Sequence, residues 1–169
     1  MRSLLASTLL AIAAAGVLGG CGGGSSGGSK GDVNTAYNKA LNATILVDGR
    51  GRSLYVFGFD TPNTPTCYDD VTYHCSKAWP PLLVSGAPKA GKGVDASLLK
   101  TVKRKGGALQ VAYNRQPLYT FAGYHGRKAP SAPADKKPGD LHGQNYVGAW
   151  WVVSPAGRPI KRQPSGSGY

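Results

Sequence analysis

The tetrad Leu-Tyr-x-Phe is written twice, at residues 54–57 in LYVFGFD and at residues 118–121 in LYTFAGY. Each copy closes a stretch that reads as a β-hairpin. TILVDGRGRSLYVF places two strand-like runs around Asp48-Gly49, and ALQVAYNRQPLYTF repeats the figure around Asn114-Arg115. Asp, Asn and Gly accept the positive φ that tight hairpin turns demand. After each hairpin come a loop and a tryptophan segment, AWPPLLV at 78–84 and AWWVVSP at 149–155. The tyrosines Tyr55 and Tyr119 lie sixty-four positions apart and Trp79 and Trp150 seventy-one, so the copies differ mainly by a longer second loop. An internal duplication is the economical reading. The expected fold is mostly β: two pseudo-symmetric antiparallel hairpin-plus-strand repeats, about 43–85 and about 107–155, forming one small domain over 33–160.

Side chains alternate along a strand, so Tyr55, Phe57 and Phe59 share one face, as do Tyr119 and Phe121, while Leu54, Val56, Leu118 and Thr120 take the other. Both faces are largely apolar, which predicts strands buried between layers. These rings, with Trp79, Trp150 and Trp151, read first as a common core. The sharper alternative is an aromatic platform for a sugar, a quinone-like ring or a porphyrin. VNTAYNKALN, residues 33–42, fits either a short helix or a lead-in strand. Asp95 is placed to cap a brief helical turn before a strand.

The beginning of the chain carries a different message. Arg2, an apolar run from Leu4 to Leu18 and the sequence Leu-Gly-Gly-Cys ending at Cys21 have the layout of an export signal over residues 1–20. A cysteine directly after that cut resembles the bacterial lipobox, in which the thiol receives a diacylglycerol; Cys21 is the expected lipidation site. Acyl chains contribute about 0.8 kcal/mol per buried methylene, enough for lasting attachment to a membrane. The following GGGSSGGSKGD, within 21–32, reads as a flexible tether, and 161–169 as a disordered tail. The expected location is outside the cytoplasm: lipid-anchored on the outer face of a bacterial cell membrane, or periplasmic.

Cys67 and Cys75 remain as a pair, and in an oxidising compartment they are expected to form a structural disulfide. A redox-active pair is the alternative, but such sites usually use C-x-x-C. Charge is lopsided: twenty Lys and Arg face eight Asp and no Glu, for a net +12. Residues 101–169 hold 11 basic and 2 acidic residues, with clusters at 103–105, 127–128, 136–137 and 161–162. An anchored protein with such a surface is drawn to anionic lipids or cell-wall polymers. Solvation of loops is the plainer use of the same charges. Nucleic acid is disfavoured by location.

Taken together, Tyr55, Phe57 and Asp60, then Cys67, Cys75 and AWPPLL, then Tyr119 and Phe121, resemble the bacterial secreted-repeat lipoproteins, a family described by a duplicated Tyr-x-(Phe/Trp/Tyr)-x-x-Asp motif. KPGDLHGQ, residues 137–144, resembles the segment such proteins place before their second tryptophan strand. The resemblance covers about residues 43–160. It implies a cell-envelope lipoprotein whose biochemical role is unassigned, and it supplies no catalytic residues. In the second copy Tyr124 stands where the motif has Asp, which argues against two equivalent Asp-dependent sites. Asp60 reads as a turn carboxylate accepting backbone N–H groups, with a ligand role as the alternative.

Other constellations are weak. GAPKAGKG, residues 86–93, has Gly93 where a phosphate loop needs a hydroxyl. His74, His125 and His142 lack metal-ligand spacing, and there is neither a G-x-S-x-G nor a glutamate for acid–base work. The expectation is a non-enzymatic binding or structural module without cofactor. The runner-up is an extracytoplasmic redox, metal or haem-binding protein using the aromatic strands and a histidine.

Overall fold

The computed structural model describes residues 31–69 and 74–165. The export signal, Cys21 and most of the tether lie outside the described residues, as do Asp70 and the end of the tail.

The chain is mostly β and antiparallel. Residues 33–42, readable either way in sequence, begin as strand β1 (Val33–Asn38), which pairs along its length with β2 (Ala43–Asp48). β3 (Tyr55–Phe57) pairs with β8 (Trp150–Val152). β4 (Leu83–Val84), β5 (Leu99–Lys103), β6 (Leu109–Tyr113) and β7 (Gln116–Pro117) form a four-stranded sheet centred on β6. A single helical turn, α1 (Cys75–Ala78), precedes Trp79, and a 3-10 turn (Ala96–Leu98) precedes β5. Asp95 caps that turn as expected, its carboxylate accepting from the Ser97 backbone N–H.

Both predicted hairpins form, with different turns. Asn114 (φ 47°) and Arg115 (φ 67°) make a two-residue turn with both residues left-handed. In the first hairpin the left-handed residue is Gly51 (φ 83°) rather than Gly49, because the Asp48 carboxylate reaches over the loop to the N–H groups of Arg50 and Arg52 and widens it. The Arg52 guanidinium closes the same brace at 2.7 Å.

The strands do not segregate into two three-stranded units. Each Leu-Tyr-x-Phe segment leaves its own hairpin after Leu54 or Leu118 and bonds to the tryptophan segment of the other half. Tyr55–Phe57 lies against Trp150–Val152, and the Gly58 N–H donates to Ala149 O at 2.7 Å. Residues 118–122 lie against 78–82, with Ala122 N–H donating to Ala78 O at 2.8 Å and Thr120 N–H to Pro80 O at 2.9 Å. At the crossing, Tyr55 and Tyr119 exchange both backbone hydrogen bonds, each at 2.9 Å.

The alternation expected along these segments sorts the core. Tyr55, Trp79, Tyr119, Phe121 and Trp150 point into one buried cluster, and Leu54, Val56, Leu118 and Val111 into a second on the opposite face. Residues 161–165 are held in place: the Ser165 N–H donates to Ala40 O, and Arg162 Nη2 to Asn42 O.

Candidate functional site

The core rings repeat their contacts across the crossing. Trp79 and Trp150 stack face to face, centroids 3.7 Å apart and planes 1° from parallel. Phe57 covers Trp150 and Phe121 covers Trp79, both at 4.3 Å. Tyr55 meets Trp79 edge-on at 5.4 Å and Tyr119 meets Trp150 edge-on at 5.2 Å. The six rings sit close enough to exclude a ligand from between them. Gly143 marks how tightly: a Cβ there would stand 2.7 Å from the Trp79 ring and 2.9 Å from Tyr55.

A buried tyrosine needs a partner for its hydroxyl. Tyr119 donates to Asp60 Oδ2 at 2.8 Å, and Tyr55 donates to Asp135 Oδ2 at 2.5 Å. The second oxygen of each carboxylate is used alike. Asp60 Oδ1 accepts the Thr66 N–H and hydroxyl, both at 2.7 Å; Asp135 Oδ1 accepts the His142 N–H at 2.9 Å and faces His142 Nδ1 at 3.1 Å. The position lost at Tyr124 is therefore filled chemically by Asp135, which the longer second loop displaces along the chain. The inference that this chain lacks a second such carboxylate is corrected on that ground. A sequence signal existed: the Tyr55 hydroxyl required an acceptor, and Asp135 is the first carboxylate after Tyr124.

Burial pushes both aspartates above the usual carboxylate range, against the lowering effect of the hydrogen bonds they accept. Burial, and then the adjacent carboxylate, pushes Tyr55 and Tyr119 above the ordinary tyrosine value. These pairs brace loops 60–66 and 135–142 against the ring core. Their oxygens are occupied by protein groups, so the arrangement is suited to support rather than to ligand contact.

Other predicted site residues fall into place around this core. Cys67 and Cys75 are joined in a disulfide. The 103–105 cluster is split: Lys103 and Lys105 are exposed, but Arg104 is buried, donating to Gln110 Oε1 and Cys67 O, each at 2.6 Å, with its guanidinium 4.2 Å from the Tyr68 ring centre. Arg104 thus ties the disulfide loop to β6, and only its neighbours belong to the surface charge. In the 137–144 segment Gln144 is the buried brace, accepting from Val152 N–H and donating to Ile160 O and Arg162 O. Among the described residues no group of three or more His, Cys or Asp stands together as a metal cluster.

Two adjoining surface features differ in chemistry. Phe57, Phe59, Tyr146, Val147 and the edges of Trp79 and Trp150 line an open slot of about 400 Å³. Beside it, His74, Lys77, His125, Arg127 and Lys128 line a depression of about 490 Å³. The two share Ala78, Tyr124 and Lys128. Sequence reasoning noticed the basic pairs but not the slot, because Tyr146 and Val147 lie in no repeat or motif.

No family model, curated protein or solved structure matches this chain.

Proposed function

We propose that this chain is a secreted-repeat type lipoprotein of the bacterial cell envelope, anchored through Cys21, whose domain is a rigid binding module for polyanions. The observation that carries this reading is how the fold spends its charges. Every described aspartate accepts a backbone N–H: Asp32 from Lys89, Asp48 from Arg50 and Arg52, Asp60 from Thr66, Asp69 from Lys77, Asp95 from Ser97, Asp135 from His142, and Asp140 from Lys136 and Lys137. Asp48 and Asp135 are buried in this role, while Asp69 and Asp95 brace their turns at the surface. The cations stay outside: Lys77, Lys103, Lys105, Arg127, Lys136, Lys137, Lys161 and Arg162 are all exposed. The surface carries the excess of positive charge that the composition gives, and a tether would hold it within reach of anionic lipid or wall polymer.

Two measurements test the two halves of this reading. Cells expressing the chain and fed labelled fatty acid should label it, and Cys21→Ala should remove the label; an unlabelled native chain would end the anchoring claim. Purified protein should be retained on a polyphosphate column and released by salt, because exposed pairing is screened at high ionic strength. Passage through the column at about 0.1 M salt would end the polyanion claim.

A further inference from the structure

We propose that the aromatic slot and the basic depression form one binding site for a small amphiphilic phosphate, its apolar tail in the slot and its phosphate at the basic residues. Four large apolar side chains are exposed among the described residues, and two of them, Phe59 (73% exposed) and Val147 (57%), stand on this one slot. Phe59 is on the strand face that the sequence assigns to the core, yet it leans outward, edge-on to Phe57 at 5.3 Å. Val147 is held in the left-handed region (φ 47°, ψ 27°), where a β-branched residue is strained, between left-handed Asn145 and Gly148. Strain of this kind, about 1–3 kcal/mol per residue, persists where surrounding structure imposes it and concentrates at binding sites. Here it presents an isopropyl group to solvent beside two tryptophan edges. The Tyr146 hydroxyl is engaged, donating to Pro130 O at 2.7 Å, so its ring is the part left to line the slot.

The other end of the site is chemically opposite. Lys77 projects from the turn after the disulfide, and His125, Arg127 and Lys128 from the loop after the second aromatic segment, around the same depression. The Asp69 carboxylate accepts the Lys77 backbone N–H at 3.2 Å, and no described carboxylate lines the depression. A phosphate monoester offers three acceptor oxygens and close to two negative charges, which suits donors arriving from two separate segments. The slot's volume lies in the range of small-molecule sites, roughly 300–1,000 Å³. Tail and head regions adjoin, with Ala78, Tyr124 and Lys128 in the lining of both. This site goes beyond the polyanion reading and does not require the anchor, since a soluble amphiphile would occupy it.

Calorimetry with the purified protein and decyl phosphate, kept below its micelle-forming concentration, tests the assignment against inorganic phosphate and decanol. The expected result is saturable binding of decyl phosphate about tenfold or more tighter than either, one tenfold step being about 1.4 kcal/mol. Phe59→Ser and Arg127→Gln, both at exposed positions, should each weaken it about tenfold, while Lys100→Gln on β5 should not. Equal affinity for inorganic phosphate would reduce the site to surface charge, equal affinity for decanol would reduce it to an apolar patch, and absence of saturable binding would remove it; each overturns the proposal. Retention on polyphosphate alongside any of these results would leave the polyanion reading standing while the amphiphile site falls.

Discussion

At the scale of single residues, the tyrosine–aspartate pairs hold the largest local consequences. Removing the Tyr55 hydroxyl strands one oxygen of a carboxylate that is 3% exposed. Hydrogen bonds to charged groups are worth about 1.5–3 kcal/mol, so Tyr55→Phe is expected to cost about that much in urea unfolding. Tyr119→Phe should cost less, because Asp60 is only half-buried. A pH dependence follows with a definite sign. The folded Asp135 carboxyl keeps its proton to higher pH than an unfolded one, whose value is about 3.9. Between that value and the raised one the folded state binds more protons, so this group's contribution falls as pH rises through the window. The stability gap between the native chain and Asp135→Asn should therefore be wider near pH 4 than near pH 7. A gap that stays constant, or narrows on acidification, would contradict the raised carboxyl. Asp60 shows why the sequence was legible here and Asp135 why it was not. Asp60 stands three residues after Phe57 in a recognisable motif. Asp135 is reached through a longer loop whose length the alternation of side chains cannot register.

Among the elements, the second hairpin and the disulfide loop offer the sharpest tests. Arg115 occupies a left-handed position (φ 67°) in a two-residue turn that favours glycine. Arg115→Gly is expected to leave stability unchanged or raise it by up to about 1 kcal/mol, read from the thermal midpoint. Replacing both Cys67 and Cys75 by Ser releases a loop with a sequence separation of 8 and should cost about 2.5 kcal/mol on the chain-entropy account. Arg104→Gln should destabilise as well, since it strands Cys67 O and Gln110, whereas Lys103→Gln, at an exposed position, should leave unfolding unchanged and weaken retention on polyphosphate. The strands β2 and β6 were readable as strand-like runs beside turn residues. Partner choice was not, because alternation fixes which face a side chain takes but carries no information on which neighbour supplies the hydrogen bonds. Exchange between the Leu-Tyr-x-Phe and tryptophan segments is decided by packing of the six rings, a property of the assembled core.

For the whole molecule, the excess of positive charge is the property that bears on behaviour in solution. Aspartates are short enough to reach back to the N–H groups of the loop that carries them, and the described ones do so except Asp32, which accepts from the distant Lys89. The chain contains no glutamate, whose longer side chain suits such local bracing less well. Net charge was legible from the sequence; its distribution required knowing that Arg104 turns inward and the aspartates are committed. Neutralising Lys136, which is exposed and meets Asp140 through its backbone N–H, is expected to lower the salt concentration of release from polyphosphate while leaving the unfolding midpoint within about 0.5 kcal/mol of native stability.

The crossing at Tyr55 and Tyr119 makes the two halves hostages of each other. Neither tryptophan segment has a strand of its own half to lie on, so a protease that cuts the exposed turn at Gly106-Gly107 would open the chain without freeing either piece. The nicked product should migrate as one body under native conditions and separate only on denaturation. Such a clasp resists damage between its parts in a way that two independently folded halves on a string cannot.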